Sequence, residues 1–499
     1  MRRLLAALLL ASLPWSGGAG TETEPDPDGP AEARRERASE RLLAGDPEAA
    51  LSLCGEVLAE APDDEACALV RARSRIALGR TREALREARE FAAARPGSEG
   101  ARAILGEALY RAGHLAEALS VLEPLAGCER PLARPLVFLG LLRAGAGDDD
   151  DAAALLDRAL ALDPGDRDVL FHASEAAPTR ARAVELLEKY LAIARGDDPD
   201  RIEAARGTLR VYRALGERAV WIAEARPERV EVPLFPLPGK EGRNRGYLIH
   251  ADLGQKKKTP LLLDTGSGGL FLLERVARKA GWEPLAGETV FAGGGEGRHT
   301  SERGLLPSLA IGGLRIRDAL VSTTRSEIEP TGRYHGILGL SAFRGYVVTI
   351  DLDAGRLVLE KPREGPRGAR YWTVSGQMLV EGEIERAGPG LFLLDTGASR
   401  SQVAASRVAE IPEASVGPPI RVSGYGGAMP GARTLRRVRA TIPGAGPLPA
   451  ELLLVDLAMR SRLGGVEVSG TVGLDVLDGR RIVVDAAARR VEIAPPPPR

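Results

Sequence analysis

Glycine recurs every 34 residues through the N-terminal part of the chain, and this period restricts the fold more than any other feature. The glycines are Gly45, Gly79, Gly113 and Gly147. Prolines keep the frame at Pro62, Pro96 and Pro164, and Pro131 stands one place late. Apolar residues between them follow helical spacing. A unit of two amphipathic helices, a turn glycine and a closing proline cannot bury its apolar faces alone, so the sequence predicts stacked helical hairpins.

The repeat unit resembles the tetratricopeptide repeat. That family's pattern is followed at Leu105-Gly106, Gly113, Ala118 and Pro131, although Leu and Ala replace most of its large aromatic residues. Small residues in phase should let the paired helices approach closely: Ala72, Gly106, Gly140 and Ser174. We expect a helical repeat domain over residues 37–226, with 176–226 as a capping segment. The resemblance implies a concave surface for a protein partner. The alternative is a spacer or packing partner for the next domain.

The C-terminal half carries short apolar runs broken by Gly, Pro and Asn, which predict strands. It also contains a duplication. A shift of 131 residues lays 247–266 on 378–397 without a gap, and 335–360 then matches 469–494. We therefore expect two lobes of one all-β fold, over residues 228–365 and 366–495. The predicted fold class is an N-terminal α-solenoid followed by a bilobal all-β domain.

Each lobe contains the triplet Asp-Thr-Gly after a short apolar run, at Asp264-Thr265-Gly266 and Asp395-Thr396-Gly397. A single copy would be an ordinary turn. Two copies facing each other would bring the carboxyl groups close, and because both cannot then be ionised, the pair would share one proton. The ionised member can take a proton from water while the protonated member hydrogen-bonds a carbonyl. This chemistry needs no metal or cofactor.

These triplets resemble those of the pepsin and retropepsin clan of aspartic proteases, over residues 230 to 495. The family's signature continues after the triplets with Ser267 and Ala398. Its later apolar-apolar-Gly element is present as Ile337-Leu338-Gly339 and as Thr471-Val472-Gly473, where Thr471 is a mild departure from the pattern. The resemblance implies that Asp264 and Asp395 are the catalytic pair. It also implies that Thr265 and Thr396 interlock the lobes. The site would be complete within one chain, with a peptide or protein as substrate.

The family closes its cleft with a hairpin flap, and a Gly-rich stretch falls at that place in each lobe. The candidate flap residues are Gly294, Gly295, Tyr425 and Gly426; two ordinary exposed turns are the alternative. The lobes also differ at Ser267 and Ala398. Because a hydroxyl at the first position could hydrogen-bond Asp264, the hypothesis is that Asp264 is the ionised partner and Asp395 the protonated one.

The first residues are typical of an export signal, because Arg2 and Arg3 precede an apolar run that is followed by small residues. We expect a signal peptide over 1–20, a disordered linker over 21–36, and a periplasmic or secreted protein. The alternative is a buried N-terminal helix. No later run predicts stable membrane insertion. The net charge of −1 offers no basic field for nucleic acid.

The three cysteines are read as small buried helix residues, although Cys54 and Cys67 could pair after export. The five histidines show no metal-ligand spacing. The sequence therefore predicts an aspartic endopeptidase with a repeat domain for protein interaction. The alternative is a catalytically inactive scaffold that keeps the protease fold and binds peptides.

Overall fold

The computed structural model describes residues 31–239, 242–291, 298–325, 328, 331–362, 365, 367–424 and 427–495. Helical hairpins occupy residues 31–215, and a domain made mostly of β-sheets follows, which confirms this order of fold classes. The helices of the array are α1 Ala31–Leu43, α2 Pro47–Glu60, α3 Glu65–Ala77, α4 Thr81–Ala93, α5 Glu99–Arg111, α6 Leu115–Leu122, α7 Ala133–Ala146, α8 Asp149–Leu162, α9 Arg167–Glu175, α10 Arg180–Ile193 and α11 Pro199–Leu215.

The in-phase residues of the repeat have the predicted physical roles. The turn glycines at 45, 79, 113 and 147 all have left-handed backbone, with φ between 75° and 92°, a conformation that other residues resist. A Cβ added to Gly106 would lie 2.3 Å from Leu122 Cδ2, and one added to Gly140 would lie 2.9 Å from Leu156 Cγ. The paired helices therefore pack closely because the residue between them is small.

Both ends of the array differ from the expected boundaries. Helix α1 begins at Ala31, inside the segment expected to be linker, because Ala31 to Arg37 are good helix formers and Arg34 pairs with Glu60 (Nη2–Oε2, 2.6 Å). The array ends at Leu215, where Gly216 has φ 52°. Strand β1, Ile222–Ala225, lies in the expected repeat domain but pairs with a strand of the β domain.

The β domain contains two large sheets, with strands numbered in chain order. The first β unit is an eight-stranded sheet in the order β3 Phe235–Pro238, β4 Asn244–Ala251, β5 Thr259–Leu263, β12 Gly336–Leu338, β6 Leu270–Leu273, β11 Ala319–Thr324, β8 Arg298–Leu306 and β7 Glu283–Phe291. The second β unit has the order β20 Val416–Pro419, β23 Arg433–Arg436, β26 Glu451–Val455, β19 Gln402–Ala404, β27 Val468–Val472, β18 Gly388–Leu394, β17 Gln377–Ile384, β24 Ala440–Ile442 and β25 Gly446–Pro447, with β16 Trp372–Val374 on β17.

The two units repeat one topology. The order β4-β5-β12-β6-β11-β8 in the first matches β17-β18-β27-β19-β26-β23 in the second. In both, the strand before the triplet pairs in parallel with the strand of the apolar-apolar-Gly element. The sequence duplication is therefore also a duplication of strand order and direction.

Smaller sheets complete the domain. A linking sheet has the order β15 Ala369–Arg370, β29 Arg490–Ala494, β28 Arg481–Asp485, β13 Val347–Asp351, β14 Arg356–Glu360 and β2 Arg229–Pro233. Because β13 pairs with β28, this sheet joins strands from both sides of the expected boundary at residue 365. The others are β1 with β10 Leu314–Arg317 and β9 Leu309–Ile311, and β21 Val422–Gly424 with β22 Gly427–Met429.

Short helices connect some of these strands. They are α12 Glu274–Lys279, α13 Ala458–Gly464 and α14 Leu474–Leu477, with 3₁₀ turns at Glu123–Gly127, Leu340–Phe343, Ala405–Glu410 and Glu413–Ser415. None of the helices in the described part of the chain combines the length and apolar character needed to cross a membrane.

The array packs directly on the second β unit. Leu391 and Leu393 of β18 join the apolar core of the array, while Phe392 and Leu394 face the core of the β domain. Arg111 donates from Nη1 to the Gly465 carbonyl (2.9 Å), and its own carbonyl accepts from Glu467 N (2.8 Å). The run Leu391 to Leu394 is continuously apolar because both faces of its strand are covered.

Helix α6 takes its N-terminal cap from the β domain. Its N-cap residue, His114, makes no side-chain capping bond. Glu381 Oε1 of β17 instead accepts from Ala116 N at 2.8 Å. A carboxylate at a helix N-terminus satisfies free amide groups and favours the helix dipole. The contact between the array and the β domain thus includes a polar bond that completes a helix.

Candidate active site

Each triplet lies directly after a buried strand and is fixed by an equivalent backbone hydrogen bond. Asp264 follows β5 and Asp395 follows β18. Asp264 N donates to the Leu338 carbonyl and Asp395 N to the Val472 carbonyl, each at 3.0 Å. The apolar-apolar-Gly elements that the sequence singled out therefore lie beside the triplets, where they fix the chain at the start of each turn.

The two threonines exchange hydrogen bonds across the junction of the β units. Thr265 Oγ1 donates to the Leu394 carbonyl (2.7 Å) and accepts from Thr396 N (3.1 Å). Thr396 Oγ1 donates to the Leu263 carbonyl (2.9 Å) and accepts from Thr265 N (3.1 Å). Both side chains are almost fully buried. The four bonds hold the two turns against each other.

The triplet glycines allow the two carboxyl groups to approach. A Cβ on Gly266 would lie 2.6 Å from Asp395 Cγ, and one on Gly397 would lie 2.7 Å from Asp264 Cγ. No real side chain fits at such distances. Each turn thus offers bare backbone to the carboxyl group of the other, and the structure brings Asp264 and Asp395 together.

The surroundings of the two carboxyl groups differ. Asp395 Oδ1 accepts from Gly397 N (2.8 Å) and Ala398 N (3.0 Å), whereas the only backbone amide among the described residues that donates to the Asp264 side chain is Gly266 N (2.8 Å). Burial raises the pKa of Asp264 well above its ordinary value, and the charge of Asp395 and a hydrogen bond to it raise that pKa further. Hydrogen-bond donors stabilise the ionised form of a carboxyl group. Because Asp395 accepts from two backbone amides and Asp264 from one, these contacts favour the shared proton on Asp264.

This assignment is the reverse of the sequence-based hypothesis. The Ser267 hydroxyl does not contact Asp264; Oγ donates to the Gly269 carbonyl, at 3.4 Å. The lone hydroxyl in the signature is thus used within its own turn. Ala398, which has no hydroxyl to offer, supplies a backbone amide instead.

Residues that the sequence did not single out support both turns. Gln377 Nε2 at the start of β17 donates to the Gly266 carbonyl at 3.0 Å, so a side chain of the second unit holds the first triplet. Buried Ser401 Oγ donates to Asp475 and accepts from Gly473 N at 3.0 Å. No local motif marks these residues, because their role depends on contacts between distant segments.

The four candidate flap residues, Gly294, Gly295, Tyr425 and Gly426, lie outside the described residues. The strands that lead to them are described: β7 pairs antiparallel with β8, and β21 pairs antiparallel with β22. Within the described ranges, no group of three or more His, Cys, Asp or Glu side chains could hold a metal ion.

Comparison with protein families identifies both parts of the chain. An aspartyl protease model matches residues 249–342, and a tetratricopeptide repeat model matches residues 41–90. The chain thus contains an aspartyl protease family domain and tetratricopeptide repeats. The matched protease segment includes Asp264 but not Asp395. A comparison with curated proteins finds no significant match.

Several solved structures are similar to portions of the chain. A thermophilic tetratricopeptide protein of Thermus thermophilus is 26% identical over 36% of this chain and 99% of its own, with a TM-score of 0.30. Basic 7S globulin from soybean is 13% identical over 54% of this chain and 95% of its own, with a TM-score of 0.34. PilW, a type IV pilus biogenesis factor, is 22% identical over 38% of this chain and 93% of its own, with a TM-score of 0.27.

Proposed function

We propose that the chain is an aspartic-type endopeptidase of the retropepsin and pepsin type, with both halves of its site in one polypeptide. The observation that carries this proposal is the pair of half-buried carboxyl groups, each packed against the glycine of the opposite triplet. The cross-bonded threonines keep that pair in place. Two carboxyl groups at this range share a proton, which is the state that water-mediated hydrolysis requires.

The proposed mechanism follows from the unequal surroundings of the pair. Ionised Asp395 takes a proton from a bound water, whose oxygen attacks the peptide carbonyl carbon. Protonated Asp264 donates a hydrogen bond to the carbonyl oxygen and transfers its proton as that oxygen gains charge. Asp395 then gives its proton to the leaving nitrogen. As the C–N bond breaks, a hydroxyl of the tetrahedral intermediate returns a proton to Asp264, and the pair again holds one proton. Water supplies the new C–O bond, so no covalent intermediate with the enzyme forms.

The array is proposed to contact protein partners or substrate as well as the second β unit. Tetratricopeptide repeats fit a role in protein interaction. We also propose that the protein is exported to the periplasm or secreted, on the charged, apolar and small residues of segment 1–20.

The test uses the full chain, because its array covers apolar residues of the β domain. Peptide-library cleavage is measured from acidic to neutral pH for wild type, Asp264→Asn and Asp395→Asn. Each substitution should reduce kcat/KM by much more than about 10²- to 10⁴-fold, since the pair acts as a unit. Asp353→Asn, an exposed aspartate outside the site, is the matched control and should leave the rate unchanged.

The outcomes separate the two candidate functions. Cleavage that survives both triplet substitutions would rule out the mechanism. Peptide binding by wild type without cleavage at any pH would instead support the inactive scaffold.

A further inference from the structure

Arg460 lies on α13, at the border of the candidate active site. This helix connects β26 to β27, the strand that pairs with the Asp395-bearing β18. A Cβ on Gly464 would lie 3.2 Å from Val374 Cγ1, so α13 packs on the hairpin that joins β16 to β17. The same hairpin reaches the first triplet turn, because a Cβ on Gly268 would lie 3.6 Å from the Ser375 carbonyl oxygen.

The guanidinium group of Arg460 has no partner among the described residues. Its Nη1 atom is shielded from solvent and makes no hydrogen bond, and no carboxylate in the described ranges lies within ion-pair distance of it. Arg462, two residues further along, lies near two acidic side chains of the array: Nε is 3.8 Å from Asp198 Oδ2 and Nη2 is 3.9 Å from Asp200 Oδ2. A shielded guanidinium N–H without an acceptor is unfavourable, so this group is prepared for an acceptor from outside the chain.

The charge of Arg460 also reaches the catalytic pair. It acts to lower the pKa of Asp264, against the larger raising effect of burial. Arg460 precedes Gly464 by one helical turn and therefore lies on the same side of α13, toward the hairpin that reaches the first triplet turn.

We propose that Arg460 is a specificity-determining residue that pairs with a carboxylate of the peptide substrate close to the scissile bond. This proposal rests on the proposed function. Arginine presents a rigid fork of donors that matches a carboxylate. A Glu or Asp side chain would satisfy the shielded Nη1, whereas the neutral amide of Gln or Asn would bring no opposing charge. A free C-terminal carboxylate next to the bond would offer the same chemistry.

Matched peptides test the proposal. A cleavable sequence is synthesised with Glu or Gln at each position flanking the bond, with an amidated C-terminus, and in a second arm with a free C-terminus near the bond. At one position, wild type should prefer Glu in kcat/KM by roughly 10- to 100-fold, the range for one charge-assisted hydrogen bond. Arg460→Gln should abolish the preference, and Arg460→Lys should keep part of it. Arg462→Gln, the control on the same helix, should keep all of it.

Two results would overturn the proposal: in wild type, a Glu/Gln ratio near one at every position together with equal cleavage of free-terminus and amidated peptides, or a carboxylate preference that persists in Arg460→Gln. A preference confined to the free-terminus arm would assign the site to a terminal carboxylate.

A binding measurement separates this proposal from the proposed function. Full-length Asp395→Asn is titrated with fluorescent Glu and Gln peptides, and fluorescence anisotropy is recorded. If wild type cleaves nothing, the proposed function fails. Tighter binding of the Glu peptide that Arg460→Gln removes would still support carboxylate recognition. Equal binding, or none, would refute it.

Discussion

Thr396→Val tests whether the threonine exchange holds the candidate site together. Valine keeps the shape of the side chain but removes its donor and acceptor. The Leu263 carbonyl and Thr265 N then lose bonds of 2.9 Å and 3.1 Å in a buried place. Each unsatisfied buried group costs about 1–3 kcal/mol, so the free energy of unfolding should fall by about 2–6 kcal/mol. Thr396→Ser keeps the hydroxyl and loses one methyl group, which should lower the free energy of unfolding by about 1 kcal/mol.

The assay is urea-induced unfolding followed by tryptophan fluorescence, since Trp282 and Trp372 are both buried in the β domain. Peptide cleavage is measured on the same samples. A misplacement of about 1 Å can cost 10²-fold in rate, so Thr396→Val should lose at least that much in kcat/KM. Thr265→Val removes the bonds of Thr265 Oγ1 to the Leu394 carbonyl and from Thr396 N. It should lose stability and cleavage to the same extent as Thr396→Val. The variant with both substitutions should lose less free energy of unfolding than the two single losses added together, because one substitution already opens the junction.

A free energy of unfolding for Thr396→Val within about 1 kcal/mol of that for Thr396→Ser would contradict this expectation, since the buried bonds would then contribute little. Cleavage that survives in both valine variants at the wild-type rate would contradict it as well. The first outcome concerns the energy of the junction, and the second concerns its role in placing the carboxyl groups.

Three further predictions concern single contacts. A carboxyl group whose pKa is raised on folding contributes stability that is present below its usual pKa of 3.8 and is lost as the pH rises through the raised value. At pH 7 Asp264 therefore lowers stability, and Asp264→Asn should raise the melting temperature at pH 7 but not at pH 3. Thermal denaturation at both pH values checks this. Gly266→Ala places a Cβ 2.6 Å from Asp395 Cγ and should cost at least about 10²-fold in kcat/KM, whereas Gly269→Ala, with no atom within 4 Å of the new Cβ, should cost little. Glu381→Ala removes the cap of α6 and should destabilise the chain by about 1 kcal/mol in urea unfolding, while Glu381→Gln, which keeps an acceptor oxygen, should cost less.

The features that the sequence predicted are those that depend on local chemistry or on repetition. The period of the turn glycines follows from left-handed backbone that glycine adopts readily, so the helical hairpins could be predicted residue by residue. The duplicated triplets could be recognised because each follows its own apolar strand. Their meeting could be inferred because the sequence around the first triplet recurs around the second after a shift of 131 residues.

The features that escaped prediction depend on contacts between distant segments. Leu391 and Leu393 looked like ordinary strand residues, and nothing local shows that an array covers them. Gln377 and Arg460 carry no motif: Gln377 matters because it bonds the first triplet turn, and Arg460 because its helix packs on the hairpin beside that turn. The hydrogen bond expected from Ser267 to Asp264 does not form, because the Ser267 hydroxyl donates to the Gly269 carbonyl within its own turn.

The cover that the array provides for β18 has a consequence for the order of events during synthesis. The array is built from contacts between neighbouring hairpins, which form quickly, and it leaves the ribosome first. The second β unit is made last, and its strands β18 and β27 pair across a long stretch of chain. When the Leu391 and Leu393 side chains emerge, the surface that shields them is therefore already folded. We expect the array to act as a template for the strands that follow it in the same chain, so that a chain with the two parts in reverse order should aggregate more during synthesis.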